Sequence, residues 1–423
     1  MNYTERKTPC GTVKGISAES YDEFRGIRYA TAKRFEYPEQ ITHWDGVYDA
    51  TEFGDCAYQH RAFDDDAKVN PFYHKEFRRG LKFTYGEDCL FLNIWTPKNA
   101  GNCPVIIYIH GGSFTGGSAN EGHISGVNFA ENGIITVAMN YRLGPFGFCS
   151  HPDLAKDGVC GNFGLFDQTA AIKWVIDNIA SFGGDPDNIT LMGQSAGAMS
   201  VDIHLSNPLI SDKIKGAILI SGAGLQRLLL KPLMPERTRS FWENVMKNAG
   251  VDSVKQLRTL DPEKLYYAWL AACKKSKLSM PCTLPVYDGV VLRKGRFDMN
   301  TVSDVPCIIS STATDMMPKI LNALIKKWSN YSEKNHRSKC YVYNFTRLLP
   351  GDDKGAWHSC DLLYAFSTLD FSWRPFTDVD RRISHQLSQS ICAFAKNGDP
   401  NCEAIPEWKS GVKNLMNFCE NTH

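Results

Sequence analysis

A serine flanked by glycines, in Gly193-Gln194-Ser195-Ala196-Gly197, follows the short apolar run Ile189 to Met192 and sits where a nucleophile could be presented. Gly-x-Ser-x-Gly after a strand describes a sharp strand-to-helix turn that leaves the hydroxyl exposed at the strand's carboxyl end. A serine hydroxyl is a poor nucleophile at neutral pH, so it needs a histidine to accept its proton and a carboxylate to orient that histidine. Four histidines follow at a useful distance: His336, His358, His385 and His423. His336 lies in a charged stretch, His385 in a helical pattern and His423 at the chain end. His358, in Gly355-Ala-Trp-His-Ser-Cys-Asp-Leu-Leu-Tyr364, falls in a loop after a strand and is the expected base. The oxyanion of an acyl-transfer intermediate needs preorganised N–H donors, each worth about 2.7–4 kcal/mol of barrier reduction. Gly111 and Gly112, which end another apolar run, and Ala196, just after the serine, are the expected donors.

Those residues must be carried to one place. The runs Val105–Ile109, Ile134–Met139, Ile189–Met192, Ala217–Ile220, Cys307–Ile309 and Cys340–Phe345 read as strands rich in β-branched or aromatic residues. Longer helical patterns separate them. Gln168–Ala180 places Ile172, Val175, Ile176 and Ile179 on one face, and Arg381–Lys396 repeats Ile383, Leu387, Ile391 and Phe394 before stopping at Asn397-Gly398. Alternation of this kind gives an α/β fold, with a mostly parallel sheet and helices on both faces, whose functional groups gather at the strands' carboxyl ends. The runs ending at Ile109, Met192, Ile309 and Phe345 lead to His110-Gly111-Gly112, to Ser195, toward Asp315 and toward His358.

At 423 residues, without a linker, repeat or low-complexity tract, the chain reads as one domain spanning 1–423. A formal net charge of +1 favours neither nucleic acid nor an anionic membrane as partner. The amino terminus lacks an apolar leader and no run of 18 apolar residues occurs, so a cytoplasmic location without membrane association is expected. Fourteen cysteines spread from Cys10 to Cys419 without regular spacing suit buried thiols. No Cys-x-x-Cys pair, P-loop or GxGxxG turn is present; neither a metal nor another cofactor is expected.

Longer segments carry a resemblance. Phe182-Gly-Gly-Asp-Pro-Asp-Asn-Ile-Thr-Leu-Met-Gly-Gln-Ser-Ala-Gly197 is similar to the serine signature of the type B carboxylesterases, which include cholinesterases and bacterial para-nitrobenzyl esterases. Glu87-Asp-Cys-Leu-Phe-Leu-Asn-Ile-Trp-Thr-Pro97 resembles the second signature of that family, and Phe24–Ala30, Asn140–Phe148 and Gly161–Gln168 are also typical of it. Likeness over nearly the whole chain implies an α/β-hydrolase fold with a reduced helical cap, and a bacterial member is expected. It also implies a serine carboxylesterase working through an acyl-enzyme on a small-molecule ester. Carried over by position, Ser195 is the nucleophile, His358 the base, and Gly111, Gly112 and Ala196 the oxyanion donors. Asp315 aligns with the family's usual glutamate, and Asp353 and Asp361 are its rivals as the acid. Being shorter, an aspartate there requires either a closer loop or another carboxylate.

Two further departures shape the expected site. Gln194 replaces a frequent glutamate, which weakens any case for a cationic substrate such as choline. The 43 residues from Asp315 to His358 are fewer than the family usually has, which implies a more open cleft. The segment 225–280 is the expected cap, with Leu228, Leu229, Leu230, Phe241, Trp242, Tyr266, Tyr267 and Trp269 mainly packing helices and a few of them lining a pocket. Ser221 resembles a second serine near the family's site and is expected to support it. Cys56 and Cys89 match positions bonded in secreted relatives, and thiols are expected here. The alternative functions are an acyltransferase using the same triad, a non-catalytic cholinesterase-like binding protein and an interfacial lipase. The natural ester and the oligomeric state are not legible in the sequence.

Overall fold

The computed structural model describes residues 2–275, 284–295 and 297–422. Twelve strands form its main sheet: β1 (Asn2–Thr8), β2 (Gly11–Ser17), β3 (Tyr21–Arg28), β4 (Val47–Asp49), β5 (Phe91–Pro97), β6 (Cys103–Ile109), β7 (Ile135–Met139), β8 (Gly184–Gln194), β9 (Ile214–Ile220), β10 (Cys307–Thr312), β11 (Cys340–Phe345) and β12 (Met416–Phe418). Their order is β1-β2-β3-β5-β7-β6-β8-β9-β10-β11-β12, with β4 beside β2. From β7 to β12 every pairing is parallel, while β1, β2, β3 and β5 form an antiparallel flank. This is the α/β-hydrolase architecture.

The central strands are apolar throughout because both faces are covered. On β6, Val105, Ile107 and Ile109 enter one core with Ile172 and Val175 of α1 (Phe163–Asn178) and Ala198 and Val201 of α2 (Ala196–His204). Ile106 and Tyr108 enter the opposite core with Ile383, Leu387 and Ile391 of α5 (Asp378–Asn397). A two-residue alternation on the strand thus feeds two separate layers of helices.

Several boundaries differ from the sequence reading. Helix α1 begins at Phe163 rather than Gln168 and ends at Asn178; left-handed Gly161 and Asn162 set its start, and burial on most of its circumference blurs its periodicity. Strand β8 extends back to Gly184 through the polar Asp185–Asn188, which apolar periodicity overlooks. In the expected cap, α3 (Arg239–Ala249) packs on α4 (Pro262–Lys275). Residues 276–280 of that segment, and His423, lie outside the described residues.

Candidate active site

Ser195 occupies the turn between β8 and α2 with φ 56° and ψ −121°, outside the regions a side chain favours. Its flanking glycines are sterically required. A Cβ on Gly193 would stand 2.4 Å from the Gly197 carbonyl, and one on Gly197 would stand 2.0 Å from the Ile109 oxygen. The turn is therefore packed directly against the end of β6, where Gly111 and Gly112 follow. A Cβ on Gly111 would lie 3.2 Å from the Cβ of Ser195, so that glycine backbone borders the serine. Gly112 has φ 107°, and there a Cβ would fall 2.2 Å from the Gly116 oxygen. Ala196 opens α2, and first-turn N–H groups of a helix have no intrahelical acceptor.

His110 braces this turn. It is buried, stacks on Tyr141 at 4.4 Å and takes a hydrogen bond from the Tyr141 hydroxyl on its carbonyl at 2.9 Å. Burial lowers its imidazole to about 4, which keeps the ring neutral.

The carboxylate and the imidazole come from loops after β10 and β11. Thr314 forms a parallel bridge with Trp357, and the Thr314 N–H donates to the Ala356 carbonyl at 3.0 Å. One residue further on each chain, Asp315 Oδ1 lies 2.7 Å from His358 Nδ1. Asp315 Oδ2 accepts from the Ser221 hydroxyl at 2.7 Å and from the Thr312 N–H and hydroxyl, each at 3.2 Å. Burial would raise this carboxyl, but the His358, Ser221 and Thr312 donors outweigh it and hold Asp315 below the usual aspartate range. An ionised Asp315 must accept from Nδ1–H, which leaves Nε2 of neutral His358 as an acceptor. The Gln194 amide N–H donates to it, with Nε2 to Nε2 at 3.1 Å. The rivals stand elsewhere. Asp353 is exposed, and Asp361 accepts from the Tyr343 hydroxyl at 3.0 Å, its buried carboxyl pushed up to about 7.

Ser195, Gln194, His358, Gly111 and Gly112 line one pocket of about 410 Å³. The charged part of its lining was not foreseen. Arg61 pairs with Glu121 at 2.7 Å, and Arg78 makes two hydrogen bonds to Asp66 at 2.7 and 3.0 Å, all four residues lining the same pocket. Their separation along the chain leaves no motif to find. Of the apolar cap residues, Tyr266 reaches the pocket, whereas Phe241, Trp242 and Trp269 close a separate small core with Phe146 and Phe163. Leu229 is exposed. Cys56 and Cys89 are buried thiols, and Cys56 Sγ lies 3.0 Å from the Ser118 hydroxyl. Among the described residues, no group of three His, Cys, Asp or Glu side chains is placed to hold a metal ion, and no helix is long and apolar enough to cross a membrane.

A mostly parallel sheet with a serine on its strand-to-helix turn, a glycine turn alongside and a histidine–carboxylate pair on the same rim defines an α/β-hydrolase. The model of the carboxylesterase family matches residues 2–335 and 315–422, and the chain belongs to that family. It is 29% identical to the para-nitrobenzyl esterase of Bacillus subtilis (strain 168), over 94% of this chain and 91% of that one. A solved structure of a PNB esterase superposes with a TM-score of 0.83 at 25% identity, covering 99% of this chain and 96% of its own. A carboxylesterase of Geobacillus stearothermophilus superposes with a TM-score of 0.78 at 27% identity, covering 99% and 97%. The protein is a serine carboxylesterase, a hydrolase of carboxylic esters.

Proposed function

We propose that Ser195 is the nucleophile, His358 the general base and Asp315 the residue that orients it, with Gly111, Gly112 and Ala196 supplying the oxyanion donors. The supporting observation is the chain of hydrogen bonds from Ser221 through Asp315 to His358, opening onto the pocket that holds Ser195. In the reaction His358 takes the Ser195 proton as the hydroxyl oxygen bonds to the ester carbonyl. The protonated imidazole then gives that proton to the departing alkoxide, leaving an acyl-serine. Water, deprotonated by His358, releases the acid and restores Ser195. Asp315 stays ionised, keeps the proton on Nδ1 and stabilises the imidazolium.

The substrate we assign is a small ester with both polar and apolar parts. Tyr73, Phe77 and Tyr266 provide apolar surface, and the Arg61–Glu121 and Arg78–Asp66 pairs provide a polar wall without net charge. We place the enzyme in the cytoplasm, where cysteines such as buried Cys56 and Cys89 persist as thiols. The reading is tested by labelling the purified protein with a fluorophosphonate and locating the adduct by mass spectrometry, alongside turnover of short aryl and alkyl esters. Modification at Ser195 with loss of turnover is expected; a label elsewhere with loss of turnover would refute it.

A further inference from the structure

Gln194 is almost wholly buried, and its carboxamide spans the two halves of the site. One end donates to His358 Nε2 at 3.1 Å, the nitrogen on which the Ser195 proton must arrive. The other end lies against the oxyanion turn, since a Cβ on Gly111 would stand 2.7 Å from Gln194 Oε1. With Nδ1–H committed to Asp315, the resting imidazole offers one lone pair, and Gln194 occupies it. Ser195 must displace or share that contact to use the base. Once the proton has moved, Nε2 carries hydrogen and faces a donor that no longer suits it.

We propose that Gln194 is a positioning residue for His358: its amide N–H holds the neutral imidazole at rest, and a half-turn of the carboxamide presents its oxygen to the imidazolium. The idea rests on the assignment of Ser195 and His358 given above. A half-turn about the terminal side-chain bond exchanges Nε2 and Oε1 without translating the group, so the clamp between Gly111 and His358 is kept. Gln194 itself moves no proton. The Ser195 proton goes to His358 Nε2 and then to the leaving alkoxide, while Gln194 supplies first a donor and then an acceptor to that same atom.

The test compares full-length wild type with Gln194→Leu and Gln194→Glu, measuring kcat and KM for para-nitrophenyl acetate from pH 5 to 9. Active sites are counted by fluorophosphonate labelling, so any misfolded fraction drops out. Gln194→Leu is expected to lower kcat about tenfold with KM within about twofold, because an acceptor for the imidazolium is lost. Gln194→Glu fixes an anion beside Nε2, so the acid limb of kcat/KM should move up by about one pH unit or more, with turnover recovering toward pH 9. Other titratable groups near His358 are Asp315, Asp361, Cys360 and Tyr73, and elsewhere in the pocket lining His60, His110, His123 and the Arg61–Glu121 and Arg78–Asp66 pairs. All are common to the three proteins. Asp361 is pushed up to about 7 by burial and titrates within this window, so the shift is measured again in Asp361→Asn. A Leu variant with wild-type kcat, or a Glu variant whose limb stays in place, would overturn the proposal. Undiminished turnover by Ser195→Ala would overturn the assignment beneath it, and so separates the two failures.

Discussion

Thr314 and Trp357 form a one-residue parallel bridge beyond the ends of β10 and β11, and this contact brings Asp315 alongside His358. It answers the question posed by the shorter side chain. An aspartate reaches the imidazole at 2.7 Å because the two loops are hydrogen-bonded to one another immediately before it, through the Thr314 N–H and the Ala356 carbonyl.

Replacing Asp315 by asparagine should lower kcat on the order of 10³–10⁴-fold, since the amide favours the wrong tautomer of His358. The check is turnover normalised to folded protein by circular dichroism. Retention of more than about a tenth of the activity would transfer the orienting role to another carboxylate.

Asp315 also ties stability to pH. Its folded carboxyl lies below the unfolded value, so its contribution is present above about pH 4 and is lost as pH falls through the folded value. Urea midpoints of wild type should therefore fall more steeply than those of Asp315→Asn between about pH 5 and 3. Parallel curves would contradict this.

Asp361 has the opposite sign. Burial pushes it up to about 7, so the folded state binds the proton more tightly and stability declines as pH rises from about 4 to about 7. Asp361→Asn removes a buried charge while keeping an acceptor for the Tyr343 hydroxyl. It should stabilise the protein at pH 8 by up to about 4 kcal/mol and leave it little changed at pH 4, as read from denaturant unfolding.

Arg374 anchors the loop that leads to His358. Its guanidinium donates twice to Glu76 at 2.9 Å and also reaches the Pro350 carbonyl at 2.9 Å and Asp352 at 2.8 Å. Glu76 and Arg374 are both buried, so Glu76→Gln leaves a buried cation with half its counter-charge. A loss of about 3–5 kcal/mol is expected in urea unfolding. Turnover per active site, with sites counted by fluorophosphonate titration, should fall as well.

What could be read in the sequence was what depends on local backbone constraint. The Gly193 and Gly197 positions are dictated by close approach within a few residues of Ser195, and Gly111 and Gly112 by the turn they make. The central strands were legible because both their faces are buried and the residues say so. The expectation for His358 came from its place in a loop after a strand, whereas its pairing with Asp315 was suggested only by likeness to a family, because the Thr314–Trp357 register joins segments 43 residues apart. The Arg61–Glu121 pair spans still more chain, and a charged residue in a loop reads the same whether it faces solvent or a pocket. Composition also failed to sort the cap: Trp242, Trp269 and Tyr266 are alike as large aromatics, yet Tyr266 alone of these borders the pocket.

The backbone at Ser195, with φ 56° and ψ −121°, sets chemistry against folding at one position. Glycine adopts such a conformation without the side-chain penalty, so Ser195→Gly should unfold about 1–3 kcal/mol less readily than the wild type while lacking the hydroxyl proposed as the nucleophile. Selection for thermal endurance alone would thus drift toward an inert protein here. Efforts to harden this esterase must screen for turnover and melting temperature together.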